Sequence, residues 1–503
     1  MAAAQTDALV SLKLVVNKEM NKVFFAETGK DFVDILFSIL TLPLGTIARL
    51  VQKESNIGPL KFGCVNSLYH SVEGLQLGPK TKKELLLQPR NPSEDYCNSL
   101  KFNVDDTDPT KYFLYPYPNS SCKCLSPISG TQCRCGCLLR GAVTLNRFCN
   151  GFVNAGQSFV VTDDLIVMPN TADYITSFAL LQNLGIESIS SVKEMTLNFP
   201  KDKVLDLLKC SLFSQSCLTN LFLEKKPNLQ MSRFLYGSFE NSGGIQINLK
   251  LFTRKADAKI LFAVGGKDFA DMLLSFLTLP LGGVVRKLGG TSHLGSIDGL
   301  YKSVADLDEN IHFNSKDAKN KLFDPHLLPF FKLTNQILPM LNLNLRYYCY
   351  HKDETIVHLQ YSIEIQALNT GCGFKKMLPI NPESPAEGFV NGTEMYVATD
   401  DLVLAPFSLS SSLKLLSRSN TLIGDVTEKV VTIGFKECLS LLKASLTSTS
   451  ALNDGLGRRA LPLGYPTSAE LPIGSPTSHL YLSSAPSPSR GTLDTPSRLD
   501  TPA

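Results

Sequence analysis

The feature that most constrains the fold is an internal repeat. A shift of 237 positions carries residues 12–49 onto residues 249–286 without a gap, and about half of the aligned residues are identical. A repeat of this length is too long to be one unit of a solenoid. The sequence therefore predicts two homologous tandem domains, each with a core of its own.

Shorter matches extend the repeat towards the C-terminus. The four residues GFVN occur at 151–154 and 388–391, and TDDL occurs at 162–165 and 399–402. Two longer pairs are GCVNSLYHSVEGL (63–75) with GSIDGLYKSVADL (295–307), and KVLDLLKCSL (203–212) with ECLSLLKASL (437–446). The predicted boundaries are a first repeat domain at 1–223, a linker at 224–246 and a second repeat domain at 247–447.

Each repeat begins with a pattern of strands followed by a helix. Residues 11–16 and 22–27 are rich in valine and phenylalanine and flank a polar turn, which predicts a β-hairpin. Apolar residues then recur from Phe32 to Leu40 at helical spacing, with Asp31 as the expected N-cap. Pro43 should interrupt this helix near Thr41. The predicted fold class is therefore α+β.

Charge and hydropathy exclude some classes of partner. The formal net charge is +3, which is too small to attract nucleic acid or an anionic membrane over the whole surface. The apolar stretches 32–50 and 269–288 approach the length of a membrane span, but acidic residues, proline and arginine interrupt them. No secretory signal is recognisable at the N-terminus. We expect a cytoplasmic or nuclear protein without a membrane partner, with mostly reduced cysteines.

Five cysteines lie within sixteen residues of polar, loop-like sequence. They are Cys122, Cys124, Cys133, Cys135 and Cys137. Four thiolates can hold a structural zinc ion, so four of these five are the candidate metal ligands. Unliganded reduced thiols and a redox or catalytic cysteine are the alternatives, because zinc ribbons favour C-x₂-C pairs. The second repeat keeps only Cys372 at the position of Cys135, together with Cys349.

Charged residues that both repeats share are the other candidate site. An enzyme would need a pocket lined by Lys30, Asp31, Arg49, Lys267, Asp268 and Arg286. The paired aspartates at 163–164 and 400–401 could act as metal or acid/base carboxylates, but helix caps or turns explain them equally. Recognisable catalytic motifs are missing, so the sequence assigns no catalytic and no cofactor-binding residue.

The C-terminal segment 448–503 differs from the rest in composition. Proline, serine, threonine and glycine dominate it, and hydrophobic periodicity fades. Such a segment buries too little apolar area to offset its ordering entropy. We predict a disordered tail.

The motifs GKDFVDILFSILTLPLG, SLYHSVEGL and VTDDLIVMP, with the cysteine-bearing loop between the last two, resemble the plant family catalogued as domain of unknown function 674. The resemblance covers about 440 residues in two tandem copies. It implies plant origin but no assigned activity, substrate or catalytic residue. Family members commonly carry a cysteine-bearing loop that resembles a small zinc-binding element, whereas Leu114 and Tyr115 stand here where a thiol would be expected.

Taken together, these patterns leave the biochemical function unknown. The reading that they favour is a non-enzymatic interaction or scaffold protein with protein partners. An enzyme that uses the shared charged residues is the first alternative. Nucleic-acid binding through the cysteine loop is weaker, because Lys123, Arg134, Arg140 and Arg147 form only a modest basic set. The sequence does not predict the oligomeric state.

Overall fold

The computed structural model is a mixed structure of helices and strands, which confirms the predicted α+β class. It describes residues 9–77, 80–116, 122, 124–133, 135–146, 149–170, 179, 181–186, 188–223, 244–328, 331, 333–339, 347–351, 356–360, 374–379 and 388–460. The predictions for residues 461–503, Cys372, Lys123, Arg134 and Arg147 concern residues outside these ranges.

The first half of the chain contains a five-stranded antiparallel sheet in the order β10-β1-β2-β8-β9. Its strands are β1 (Val10–Asn17), β2 (Lys22–Gly29), β8 (Ser158–Thr162), β9 (Val167–Pro169) and β10 (Val192–Phe199). Alternate side chains of β1 from Val10 to Val16 point into the core, and Val15 on the opposite face packs in a smaller apolar cluster with Phe25 and Val160. The strands β1 and β2 pair as the hairpin at the start of the sheet.

The second half contains a sheet of the same order, β18-β11-β12-β16-β17. Its strands are β11 (Ile247–Arg254), β12 (Ile260–Gly265), β16 (Tyr396–Thr399), β17 (Leu404–Pro406) and β18 (Val426–Ile433). In both hairpins the register shifts by one residue, between Val15 and Val16 in the first and between Phe252 and Thr253 in the second.

Helices follow the opening hairpin in each half, and the first three helices of each half stand at equivalent positions. Those of the first half are α1 (Lys30–Ser38), α2 (Leu44–Val51), α3 (Val65–Gly74), α4 (Lys80–Leu87), α5 (Glu94–Cys97), α6 (Val204–Phe213) and α7 (Cys217–Phe222). Helix α1 ends in a 3₁₀ turn at Ile39–Thr41, and α2 begins directly after Pro43. Proline suits the start of α2 because it lacks the N–H that an interior position would need.

The second half continues with its own set. Its helices are α8 (Lys267–Ser275), α9 (Leu281–Lys287), α10 (Ile297–Asp306), α11 (Lys316–Phe323), α12 (Leu409–Arg418), α13 (Phe435–Thr447) and α14 (Ala451–Ala460). Helix α8 likewise ends in a 3₁₀ turn, at Phe276–Thr278, and α9 follows Pro280. None of the helices among the described residues is long and apolar enough to cross a membrane.

Strands from both halves join in a third sheet with the order β3-β7-β14-β13-β15-β4. Its strands are β3 (Tyr112–Leu114), β4 (Cys124–Leu125), β7 (Gly141–Asn146), β13 (Tyr347–His351), β14 (Ile356–Gln360) and β15 (Phe374–Pro379). The halves meet at two parallel pairings, β7 with β14 and β4 with β15. A separate two-stranded hairpin is formed by β5 (Thr131–Gln132) and β6 (Leu138–Leu139).

One continuous hydrophobic core extends through both halves. It includes Phe32, Phe37 and Leu40 from the first half and Phe269, Phe276 and Leu277 from the second, all at most 1% exposed. The described residues of both halves, from 9 to 460, belong to one compact unit. The expectation that each repeat has a core of its own is therefore wrong, because the inner faces of α1 and α8 contribute to the same apolar cluster. The boundaries 1–223 and 247–447 stay a prediction.

The predicted tail begins too early. Residues 451–460 form α14, and Ala451, Leu452 and Leu456 are buried in the common core. The sequence predicts disorder for residues 451–460 because their apolar residues are few and lie near serine, threonine and glycine. Their spacing still places Leu452 and Leu456 on one face of a helix.

Candidate functional site

The motifs GKDFVD and GFVN meet at the start of α1. Oδ1 of Asp34 accepts hydrogen bonds from the backbone N–H groups of Phe152 and Val153, both at 2.9 Å. The Lys30 ammonium group forms an ion pair with Oδ2 of the same carboxylate and donates a hydrogen bond to the carbonyl oxygen of Asn150 at 2.5 Å. Burial raises the pKa of Asp34, although Lys30 and the two N–H groups act in the opposite direction.

Glycine in the GFVN motif has a clear steric reason. Gly151 has φ +68°, and a Cβ atom there would overlap the Asp34 carboxylate and the Lys30 ammonium group. A side chain would therefore both strain the backbone and displace the ion pair.

The second half repeats this arrangement. Oδ1 of Asp271 accepts hydrogen bonds from the N–H groups of Phe389 and Val390 at 2.7 and 3.1 Å, and Lys267 pairs with Oδ2. Gly388 has φ +61° and lies against this pair. Burial again raises the pKa of the carboxyl. In both halves the lysine and the buried aspartate hold a loop in place.

The TDDL motifs cap helices that come later in the chain. The carbonyl oxygen of Asp163 accepts the N–H of Cys217 at 2.8 Å, and its Oδ1 accepts the N–H of Thr219 at 2.7 Å, at the start of α7. Asp400 contacts the N–H groups of Leu452 and Asn453 at the start of α14 in the same way. A carboxylate stabilises a helix N-terminus through its unpaired N–H groups and its dipole.

The other shared charged residues bind separate partners. Asp31 lies inside the first turn of α1, where it pairs with Lys101 at 2.7 Å, and the N-cap position is Gly29. The expectation that Asp31 caps this helix is therefore wrong. Arg49, at the end of α2, pairs with Asp106 at 2.7 Å. Its counterpart Arg286 pairs with Asp324, and its guanidinium carbon lies 5.1 Å from the centre of the Phe323 ring.

The described cavities do not bring the six shared lysine, aspartate and arginine residues together, but Asp163 and Asp164 of the first TDDL motif line one cleft. A cleft of about 930 Å³ lies between the start of β2, the turn at 162–164 and the segment before α10, and none of the six shared residues lines it. Lys267, Asp268 and Asp271 border a cavity of about 20 Å³. That volume admits about one water molecule, too little for a substrate.

The cysteine loop forms a compact knuckle around the β5–β6 hairpin. The N–H of Cys133 donates to the carbonyl oxygen of Cys137 at 3.0 Å, and the N–H of Gly136 donates to that of Cys133 at 2.8 Å. Gly136 has φ +82°, which glycine adopts without strain, so it permits the tight turn between Cys135 and Cys137.

Four of the five predicted cysteines are brought together. The sulfur atoms of Cys122, Cys133, Cys135 and Cys137 all lie within 4.8 Å of one another. Those of Cys122 and Cys133 are 3.6 Å apart, and those of Cys133 and Cys135 are joined in a disulfide. Cys124 is not part of this group and lies in β4, which pairs with β15 of the second half.

With the Cys133–Cys135 disulfide reduced, the four sulfurs would be a donor set for a tetrahedral metal ion. With zinc–sulfur bonds of about 2.3 Å, tetrahedral ligands are separated by about 3.8 Å. The distance of 3.6 Å between the Cys122 and Cys133 sulfurs is close to this value. Zinc could be bound by all four sulfurs only as thiolates, that is, with the Cys133–Cys135 disulfide reduced.

Two buried lysines were missed from the sequence. Lys209 in α6 is 0% exposed and donates to the carbonyl oxygens of Lys53 and Gly58 and to Oγ of Ser55. Lys321 in α11 is 1% exposed and reaches the carbonyl oxygen of Pro92 at 3.1 Å, in the other half. A signal existed for Lys209, because the similar segments KVLDLLKCSL (203–212) and ECLSLLKASL (437–446) both carry a lysine at this point of an otherwise apolar helix.

Of the four basic residues of the cysteine loop, the structure describes only Arg140, whose side chain is exposed.

Comparisons with known proteins identify a family for this chain. The sequence model of the family described as "Protein of unknown function (DUF674)" matches residues 6–436. No curated protein and no solved structure matches the chain.

Proposed function

The chain belongs to the DUF674 family of proteins of unknown function, and on that premise we propose that it is a non-enzymatic interaction or scaffold protein of plant origin. It consists of two duplicated repeats and a structural zinc loop, acts in the cytoplasm or nucleus and binds other proteins. An enzyme that uses the shared charged residues is the alternative. Nucleic-acid binding through the cysteine loop is a weaker one.

One observation carries this proposal. The charged residues that recur in both repeats are engaged in holding the backbone: Asp34 and Asp271 bind the GFVN loops, and Asp163 and Asp400 cap helices, although Asp163 also lines the cleft of about 930 Å³. A catalytic group needs to face a site where a substrate atom can lie. The buried carboxylates of Asp34 and Asp271 are instead already occupied by lysine and by backbone N–H groups.

Small-molecule profiling separates the scaffold from the enzyme. A plant extract is incubated either with the purified folded chain or, as a control, with heat-unfolded chain. We expect its metabolite composition to be the same in both cases. Time-dependent loss of a metabolite that only the folded chain causes would favour an enzyme instead. Proximity labelling in plant cells, with the wild type and the double variant Cys133→Ser/Cys135→Ser, then tests whether protein partners depend on the loop.

Metal content tests the zinc loop. We expect about one zinc ion per chain in protein purified under reducing conditions, measured by elemental analysis, because four thiolates can close a tetrahedral site. The variant Cys133→Ser/Cys135→Ser should lose the metal, since it lacks two of the four ligands.

The variant Cys124→Ser is the matched control. It lies in the same loop but outside the cluster of four sulfurs, so it should keep the zinc. A chain that contains no metal under these conditions, or that loses it equally in both variants, would contradict the assignment of the ligands.

A further inference from the structure

The two halves meet through contacts that occur in reciprocal pairs. The N–H of Leu44 donates to the carbonyl oxygen of Leu279, and the N–H of Leu281 donates to that of Leu42, both at 2.9 Å. These bonds surround a bridge between Pro43 and Pro280. The two prolines occupy the same position in the two repeats, so this part of the seam is close to a twofold axis.

A second reciprocal pair lies further from this axis. The N–H of Cys64, before α3, donates to the carbonyl oxygen of Ser445 in α13 at 2.8 Å. The N–H of Ser296, before α10, donates to that of Ser211 in α6 at 2.9 Å. Each repeat therefore presents both the donor loop and the acceptor helix.

A third pair connects each sheet with a helix of the other half. Oγ of Ser303 accepts the N–H of Val167, the first residue of β9, at 2.8 Å. Oγ of Ser71 accepts the N–H of Leu404, the first residue of β17, at 2.9 Å. These helices cover the sheet edges of the opposite half, and an uncovered sheet edge is a liability that proteins avoid.

We infer that this seam is an isologous dimer interface and that the partner it fits is a second copy of the same repeat. In such an interface residue i of one subunit contacts residue j of the other, and j contacts i, as the three pairs do here. The two repeats of this chain form a fused dimer, and repeats on separate chains pair through the same surface. The inference rests on the duplication proposed above.

Two glycines show how closely the surfaces fit. Gly63 and Gly295 stand at equivalent positions with φ +52° and +40°, and a Cβ atom at either would collide with the backbone of the other half, at Ser445 and Ser211 respectively. Gly58 and Gly289 also have positive φ, +81° and +69°, but no atom of a described residue lies within 4 Å of a Cβ atom there. They are matched controls because they share the backbone strain without the contact.

The experiment uses the full chain with a specific protease site inserted within residues 224–243. After cleavage we expect the two parts to elute together at the mass of the intact chain in size-exclusion chromatography. Two cleaved samples, one with a tagged first half, are then unfolded together and refolded. Tagged first halves should retain second halves from the untagged sample. Parts that separate after cleavage, as monomers or as a precipitate, would overturn the inference.

The glycine variants test the surface itself. In the cleaved chain, Gly63→Ala and Gly295→Ala should each weaken the association of the two parts by about tenfold or more, measured by dilution. Gly58→Ala and Gly289→Ala should leave it unchanged. Equal affinity in all four variants would show that the seam does not hold the repeats together. Zinc content and the association of the two parts are separate measurements, so this inference and the zinc loop can fail separately.

Discussion

At the scale of single residues, buried polar groups fix the conformation of the loops whose backbone they bind. Asp34 is 2% exposed and binds Lys30 and two backbone N–H groups, while Asp31, three positions earlier, pairs with Lys101 at the surface. Removal of one partner from a buried pair leaves a charge without compensation, whereas a surface pair is screened by water. Neighbouring aspartates of one helix thus have unequal energetic roles.

The variant Asp34→Ala tests this difference. It should lower the free energy of unfolding by about 3 kcal/mol, because Lys30 and the N–H groups of the GFVN loop lose their acceptor. Asp31→Ala should cost less than about 1 kcal/mol. Denaturant titration of both variants provides the comparison, and equal losses would contradict the structural role of Asp34.

Reactivity of Cys64 reports on the seam. Its Sγ donates to the carbonyl oxygen of Ser448 in the other half, and burial raises the pKa of this thiol to about 12. At pH 8, well below this pKa, the Cys64 thiol stays protonated, and only roughly one molecule in ten thousand carries the reactive thiolate. We expect Cys64 to resist iodoacetamide at pH 8 in the native chain and to react in denaturant, as detected by mass spectrometry. Rapid native labelling would mean that the seam opens.

At the scale of elements, helices depend on caps supplied from distant parts of the sequence. The turn at Asp400 provides the acceptors for the start of α14, fifty residues later, and Asp163 does the same for α7. Short helices are marginal by themselves and gain most of their stability from packing of an apolar face. Helix α14 has both the cap from Asp400 and a buried apolar face, although its composition resembles that of a disordered tail.

The variant Leu452→Ala tests whether α14 belongs to the core. Leu452 is 0% exposed, so its truncation should cost about 2–5 kcal/mol of unfolding free energy. Leu409→Ala in α12 is the matched control, since this leucine is 81% exposed and its loss should change stability by less than about 0.5 kcal/mol. Thermal or denaturant unfolding measures the stability of both variants. An unchanged stability of Leu452→Ala would mean that residues 451–460 belong to the tail and not to the core.

At the scale of the whole molecule, one core and one shared sheet join the two halves. Strands β7 and β4 of the first half pair with β14 and β15 of the second, and the apolar cluster is continuous. Neither half can therefore lose its structure without exposing apolar surface of the other. This coupling distinguishes the chain from two independent domains on a linker.

Calorimetry of the full chain tests this coupling. We expect a single unfolding transition with equal calorimetric and van't Hoff enthalpies, because both halves share the core. The variant Leu452→Ala, although confined to the second half, should shift the whole transition to lower temperature. Two separate transitions, only one of which moves in the variant, would show that the repeats unfold independently.

Local patterns in the sequence were sufficient for the α+β class, because strand alternation and helical spacing act within a few residues. They also led to the cysteine loop and to a family of unknown function. The separate cores, the cap at Asp31 and the start of the tail were predicted wrongly.

Tertiary structure alone decided how distant segments meet. The sequence marks Asp34, Gly151 and Asp163 as recurring residues but does not show that the first two touch or which helix the third caps. It also does not separate Cys124 from the other four cysteines. These outcomes depend on the complementarity of surfaces far apart in the chain, where backbone N–H groups and apolar faces must all find partners at once. No period or motif within a single segment records that requirement.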